Sequence, residues 1–213
     1  MCGAGGALNS YNLLTFFAYL HTIFALGGLL RISIVFNYKQ MVTIISSTNR
    51  AGSTTLKVAE YYRKRLLEKG TDAGLLSLTE LPPNLIETDL YGQRSAGFEP
   101  IQQIITKTDK FIFIIPEYNG SYPGVLKTFI DACDFPESFY EKKAALVGVS
   151  SGKYGNIRGI DHFTGVCHYI NLHVMPLKLH IANIKSELNS DGDLFKQDTL
   201  RFTDEQIDKF ILF

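Results

Sequence analysis

Three stretches of this 213-residue sequence carry side chains suited to gripping an anionic, partly flat organic molecule. The first reads Ser46-Ser47-Thr48-Asn49-Arg50-Ala51-Gly52-Ser53-Thr54-Thr55 and runs straight into a stretch of helical periodicity. Hydroxyls, a guanidinium and the unpaired N–H groups of a helix start are what a phosphate needs. An ordinary helix N-cap needs one Ser or Thr, and six in ten residues exceed that. The stretch lacks the Gly-Lys-Ser/Thr ending of a Walker A loop and contains no GxGxxG. The second stretch, Pro116-Glu117-Tyr118-Asn119-Gly120-Ser121-Tyr122-Pro123-Gly124, joins an Asn-Gly turn signal to a Pro placed just ahead of a helix. A turn explains Asn, Gly and Pro; it does not explain Tyr118 and Tyr122, whose rings could lie against a flat ligand. The third, Ser150-Ser151-Gly152-Lys153-Tyr154-Gly155-Asn156-Ile157-Arg158-Gly159, is rich in small residues that let backbone approach a ligand closely.

Other reactive side chains form no pattern. His162, His168, His173 and His180 show neither HExxH nor paired metal spacing, so no metal site is expected. Cys133 and Cys167 fall in helical segments and are expected as small buried hydrophobes. Ser150 lies in no GxSxG elbow. No catalytic residue is therefore named, and Glu117 and Asp131 are expected as solvated charges.

The elements that must position these stretches follow from periodicity. Short apolar runs are read as strands at Val42 to Ser46, Gly74 to Leu78, Lys110 to Ile115, Ala144 to Val149 and Leu177 to Ile181. Helical spacing is read at Thr54 to Lys69, with Leu56, Ala59, Leu66 and Leu67 inward, and at Phe98 to Thr106, Gly124 to Cys133 and Gly159 to Leu172. A short last helix is read at Asp204 to Leu212. Alternating strands and helices, with strands apolar on both faces, make an α/β doubly wound sheet of five parallel strands. Such sheets bind ligands beyond the carboxyl ends of their strands, which is where the three stretches fall, after strands one, three and four.

Composition narrows the class further. The sequence holds 21 basic and 21 acidic side chains and is 46% hydrophobic. That excludes a disordered chain and disfavours a nucleic-acid partner. Three cysteines without CxxC spacing suit a reducing, cytoplasmic setting. The neutral total hides two unlike parts. Residues 1–40 hold no acid and only Arg31 and Lys39; taking those two from 21 leaves 19 basic against 21 acidic side chains beyond residue 40, a net −2. Leu13 to Leu30 is uncharged and long enough to cross a bilayer. If residues 13–36 are a genuine anchor, the positive-inside rule leaves the rest of the chain facing the cytoplasm. The alternative, placed ahead of it, is upstream sequence read in frame from a mis-assigned start, with the natural protein beginning at Met41. The expected domains are thus an apolar leader, 1–40, and one globular domain, 41–213.

PEYNGSYPGVLKTFIDA, Pro116 to Ala132, resembles the most distinctive motif of the NADPH-dependent FMN reductases, NAD(P)H-dependent oxidoreductases of flavodoxin-like fold. The first stretch is similar to that family's GSxRxGS phosphate loop at Thr48, Arg50, Gly52 and Ser53, with Ser47 in place of the first glycine. Ser150-Ser151-Gly152 with Gly155 to Gly159 looks like its third flavin-contacting loop. The resemblance spans Met41 to about Phe213, with a shortened last helix as a further departure. It implies a three-layer fold with strand order 2-1-3-4-5 and FMN as cofactor. Thr48, Arg50, Ser53, Thr54 and Thr55 would take the phosphate, and Pro116, Glu117, Tyr118, Asn119 and Gly120 would border the isoalloxazine. Ser150, Ser151, Gly152 and Gly155 would close the other side. It further implies NADPH or NADH as co-substrate, a small acceptor (flavin, quinone, azo compound or metal oxyanion) and a homodimer or homotetramer. A flavodoxin-type electron carrier without nicotinamide reductase activity is the alternative; Arg50 and a charge of only −2 speak against it. A flavin-free scaffold on the same fold is a third possibility.

Overall fold

Alternate residues of a strand point to opposite sides of its sheet, and here both sides are apolar. In the computed structural model, which describes residues 40–213, strand β1 (Val42–Ser46) pairs in parallel with β2 (Ala73–Ser77) and with β3 (Lys110–Pro116). β3 in turn pairs in parallel with β4 (Lys143–Val149). Val42, Ile44, Ile112, Ile114 and Val147 face one core; Ile45, Phe111, Phe113, Ile115 and Leu146 face the other. Helix α1 (Thr54–Glu68) covers the first face, joined later by α6 (Gln197–Leu212). The second lies under α3 (Glu99–Lys107), α4 (Gly124–Ala132) and α5 (Ile157–Tyr169), with a one-turn α2 (Leu85–Thr88) leading into α3. Strand order 2-1-3-4-5 within a three-layer, flavodoxin-like fold is as the sequence led us to expect. The expectations for the leader, whether mis-assigned start or membrane anchor, lie outside the described residues. Among the described residues no helix is long and apolar enough to cross a membrane.

Three local expectations need correction. The fifth strand is two: β5 (His173–Val174) pairs with the start of β4 and β6 (Leu179–Ile181) with its end, making six strands among the described residues. Pro176, with no N–H to give the ladder, sits in the gap. The last helix begins at Gln197 and not at Asp204; among its first seven residues only Thr203, a polar one, is buried, so no apolar period marks the start. Gln206 earns its buried place by donating to the carbonyls of Leu146 at 3.1 Å and Leu177 at 3.0 Å, beside the break between β5 and β6, while accepting from the Tyr62 hydroxyl at 2.8 Å. That Tyr62 contact also corrects the inward face of α1. Val58, Ala59, Tyr62 and Leu66 are buried, whereas Leu67 is 65% exposed.

Candidate functional site

In a parallel sheet covered by helices, the carboxyl ends of the strands lie beside the N-termini of the helices that follow. The first loop leaves β1 with Ser46, Ser47 and Thr48 still buried, and the Ser47 N–H donates to the Ile114 carbonyl at 3.0 Å. It then turns outward through Gly52, whose φ of +63° is the left-handed region that favours glycine. Ser53 caps α1, its Oγ accepting from the Leu56 N–H at 3.2 Å. The first N–H groups of α1 have no intrahelical acceptor, and no acidic residue stands in its first turn to take that role.

The second loop is a two-residue hairpin. Asn119 and Gly120 both have positive φ, 52° and 75°, as the turn matching the twist of paired strands requires. Tyr118 and Ser121 exchange backbone hydrogen bonds of 2.9 and 3.1 Å across it. The third loop is folded down onto the sheet. Ser150 Oγ donates to the Gly152 carbonyl at 2.8 Å and accepts the Gly155 N–H at 3.0 Å. Gly155, at φ +57°, lies so close to β6 that a Cβ there would stand 2.5 Å from the His180 carbonyl carbon.

These loops enclose a cleft of about 330 Å³. Of the residues expected to bind a cofactor, Arg50, Ser53, Thr54 and Thr55 line it from the first loop, Pro116, Glu117 and Tyr118 from the second, and Ser150 and Ser151 from the third. Asn119 and Gly120 line a neighbouring cleft of about 480 Å³ together with Tyr154, Ile157 and Arg158; Glu117 belongs to both. Three expected residues line neither cleft. Thr48 is 1% exposed, with its hydroxyl 2.7 Å from that of Tyr118. Gly152 and Gly155 take part in the internal bonding of the third loop. Tyr122 packs edge-on against Phe163 in the core, at 5.4 Å between ring centroids, and offers no ligand platform.

Lys185 is a wall residue that sequence reasoning missed. It arrives from the segment after β6, docked where the Ile184 N–H donates to the Ser150 carbonyl at 3.0 Å. No local motif marks it; only the pairing of β6 with β4 brings it near. The donor set fits a phosphate ester. Two cations, free N–H groups at a helix N-terminus and hydroxyls on its first turn line one space, with a single carboxylate, Glu117, among them.

The sequence profile of the NADPH-dependent FMN reductases matches residues 41–185, about two thirds of the chain and all three loops. The chain belongs to the NADPH-dependent FMN reductase family. Membership places it among the flavin-dependent NAD(P)H oxidoreductases, with FMN as cofactor and a reduced nicotinamide nucleotide as co-substrate. A 2-hydroxy-1,4-benzoquinone reductase from a Burkholderia species is 31% identical over 113 residues, which is 51% of this chain and 62% of that relative, less than two thirds of its length. An NAD(P)H-dependent FMN reductase of Pseudomonas aeruginosa is 27% identical over 149 residues, 67% of this chain and 78% of the relative. Among solved structures, the flavoenzyme NAD(P)H:(acceptor) oxidoreductase of Paracoccus denitrificans shares the fold, with TM-score 0.68 and 24% identity, over 82% of this chain and 96% of its own.

Proposed function

We propose that this family member passes electrons from NADPH or NADH, through FMN seated in the 330 Å³ cleft, to a small flat acceptor. The observation that carries this is the meeting of Arg50 and the α1 N-terminus with Pro116 to Tyr118 and Ser150-Ser151 around one space. Bound FMN supplies the hydride and electron chemistry, so the protein's tasks are to bind, orient and tune. Arg50, with Ser53, Thr54, Thr55 and Lys185, holds the phosphate. The backbone of Pro116 and Glu117 and the Ser150-Ser151 wall border the ring. Ser150 borders the ring by shape alone, since its hydroxyl is committed to Gly152 and Gly155 and its backbone N–H and carbonyl to Ile181 and Ile184. Asn119, Gly120, Tyr154 and Arg158 form the adjoining cleft, which shares Glu117 with the first and receives the nicotinamide and then the acceptor. Sharing of one entrance by both substrates gives ping-pong kinetics.

A quinone or another flavin is the acceptor class supported by the relatives' activities. The balance of −2 over residues 41–213 supports a reductase over an acidic electron carrier. Tyr154 and Ile157, exposed beside the second cleft, support a contact with a second copy of the chain in a homodimer or homotetramer. The free thiols of Cys133 and Cys167 support a reducing, cytoplasmic setting.

The test is anaerobic titration of the FMN-loaded protein with NADPH and NADH, followed at the flavin absorbance. Bleaching, and its reversal by a quinone, is the expected result. Protein that binds no FMN sinks the proposal, and FMN that neither nucleotide bleaches leaves an electron carrier in its place.

A further inference from the structure

The hydroxyl of Thr48 decides which way the hydroxyl of Tyr118 points. Thr48 Oγ1 accepts the Arg50 N–H at 3.2 Å and lies 2.7 Å from Tyr118 Oη, a distance at which either oxygen could donate. A hydroxyl has one hydrogen and two lone pairs. If the phenol donated, the Thr48 hydrogen would need an acceptor elsewhere, and Thr48 is 1% exposed with no other acceptor among the described residues. A buried donor left without a partner is disfavoured. If Thr48 donates, both its hydrogen and its accepting capacity are used. The phenolic hydrogen of Tyr118 is then left over, on a side chain that is 37% exposed and lines the cleft together with Arg50 and Ser53 to Thr55.

We propose that Tyr118 is a hydrogen-bond donor to the phosphate end of the bound cofactor and that Thr48 is the positioning residue that aims it. This rests on the proposal that the cleft holds FMN. Phosphate is favoured over the ring because Thr48 ties the phenol oxygen to the Arg50 backbone, at the phosphate loop. The hairpin bonds between Tyr118 and Ser121 fix the base from which the side chain reaches. Tyr118 then serves through its oxygen rather than as a stacking surface, and Thr48, its hydroxyl fully engaged, does not itself touch the phosphate.

Apoprotein titrated with FMN and with riboflavin, followed by quenching of flavin fluorescence, tests this. Tyr118→Phe should weaken FMN binding about tenfold to a hundredfold, the range of a hydrogen bond to a charged group, and leave riboflavin within about twofold. Thr48→Val should weaken FMN in the same selective way, Thr48→Ser should restore it, and the Thr48→Val, Tyr118→Phe double variant should bind FMN no more weakly than Tyr118→Phe alone. Unchanged FMN affinity in Tyr118→Phe overturns the proposal, as do equal losses for FMN and riboflavin, which would put the hydroxyl on the part the two flavins share and not on the phosphate. Wild-type protein that binds neither flavin overturns the cofactor site itself, a result distinct from either of these.

Discussion

At the amino edge of the sheet three lysines reach the last turns of helices, whereas at the carboxyl edge Arg50 and Lys185 face an open cleft. Lys110, 3% exposed, donates to the Phe210 and Ile211 carbonyls of α6 at 3.3 and 3.1 Å, and Lys143 reaches the Phe213 carbonyl. Lys142 does the same for α3, at 2.9 Å to Ile105 and 2.8 Å to Thr106. Helices here run opposite to the strands, so the amino edge collects helix C-termini with unpaired carbonyls and the carboxyl edge collects helix N-termini with unpaired N–H groups. Cations at the first edge find partners within the fold. At the second edge the backbone is itself a donor, and an added cation increases an excess that favours an anion from outside. Arg50 has no carboxylate partner among the described residues, in contrast to Arg65, which pairs with Asp204.

The sharpest challenge to this division is Gly155, which stands at the binding edge yet is packed like core. Gly155→Ala forces a left-handed residue with a side chain into the His180 backbone, and we expect a loss of about 3 kcal/mol or more in stability, measured by urea unfolding. A variant that folds normally and loses only FMN would show that this loop belongs to the cofactor and not to the scaffold. Arg50→Ala should do the reverse. We expect FMN affinity to fall by about 1.5 to 3 kcal/mol with riboflavin affinity and unfolding midpoint little changed; a comparable fall for riboflavin would remove its assignment to the phosphate.

Lys110→Met tests the other edge. Two helix carbonyls lose their donor, for an expected loss of about 1 to 3 kcal/mol in stability without effect on FMN binding. The smallest effect is on pH dependence. Burial, aided by the nearby charge of Lys143, lowers the Lys110 pKa below its ordinary value of 10.5. The folded protein therefore binds fewer protons at this site than the unfolded chain, and stability rises with pH from the folded pKa up to 10.5. The wild type's advantage over Lys110→Met should widen across that window; a gap that stays constant would mean Lys110 does not titrate differently on folding.

How much of this was legible in residues depended on the range of the interaction involved. β1, β3 and β4 were visible because strands buried on both faces must be apolar throughout, a property read one residue at a time. The Asn119-Gly120 turn was visible because few residues accept positive φ. The inward face of α1 was misplaced because Tyr62, polar at its tip, is buried by a partner 144 positions away, and the start of α6 was hidden because the one buried residue of its first seven, Thr203, is polar. In the candidate site, the residues that line the cleft were mostly those whose types suit phosphate. Those that fell outside both clefts, Thr48, Gly152 and Gly155, have the right types but commit their polar groups or their space to the protein itself.

The sequence by itself determined the chemistry available at each loop and the order of strands and helices that carries those loops to one edge, since both follow from local propensity and period. Only the tertiary structure decided how that chemistry is divided. The contact between Thr48 and Tyr118 spans 70 positions, and Lys185 reaches the cleft through the pairing of β6 with β4. Such contacts depend on strand register and loop packing summed over the whole domain, and no single stretch of sequence encodes them.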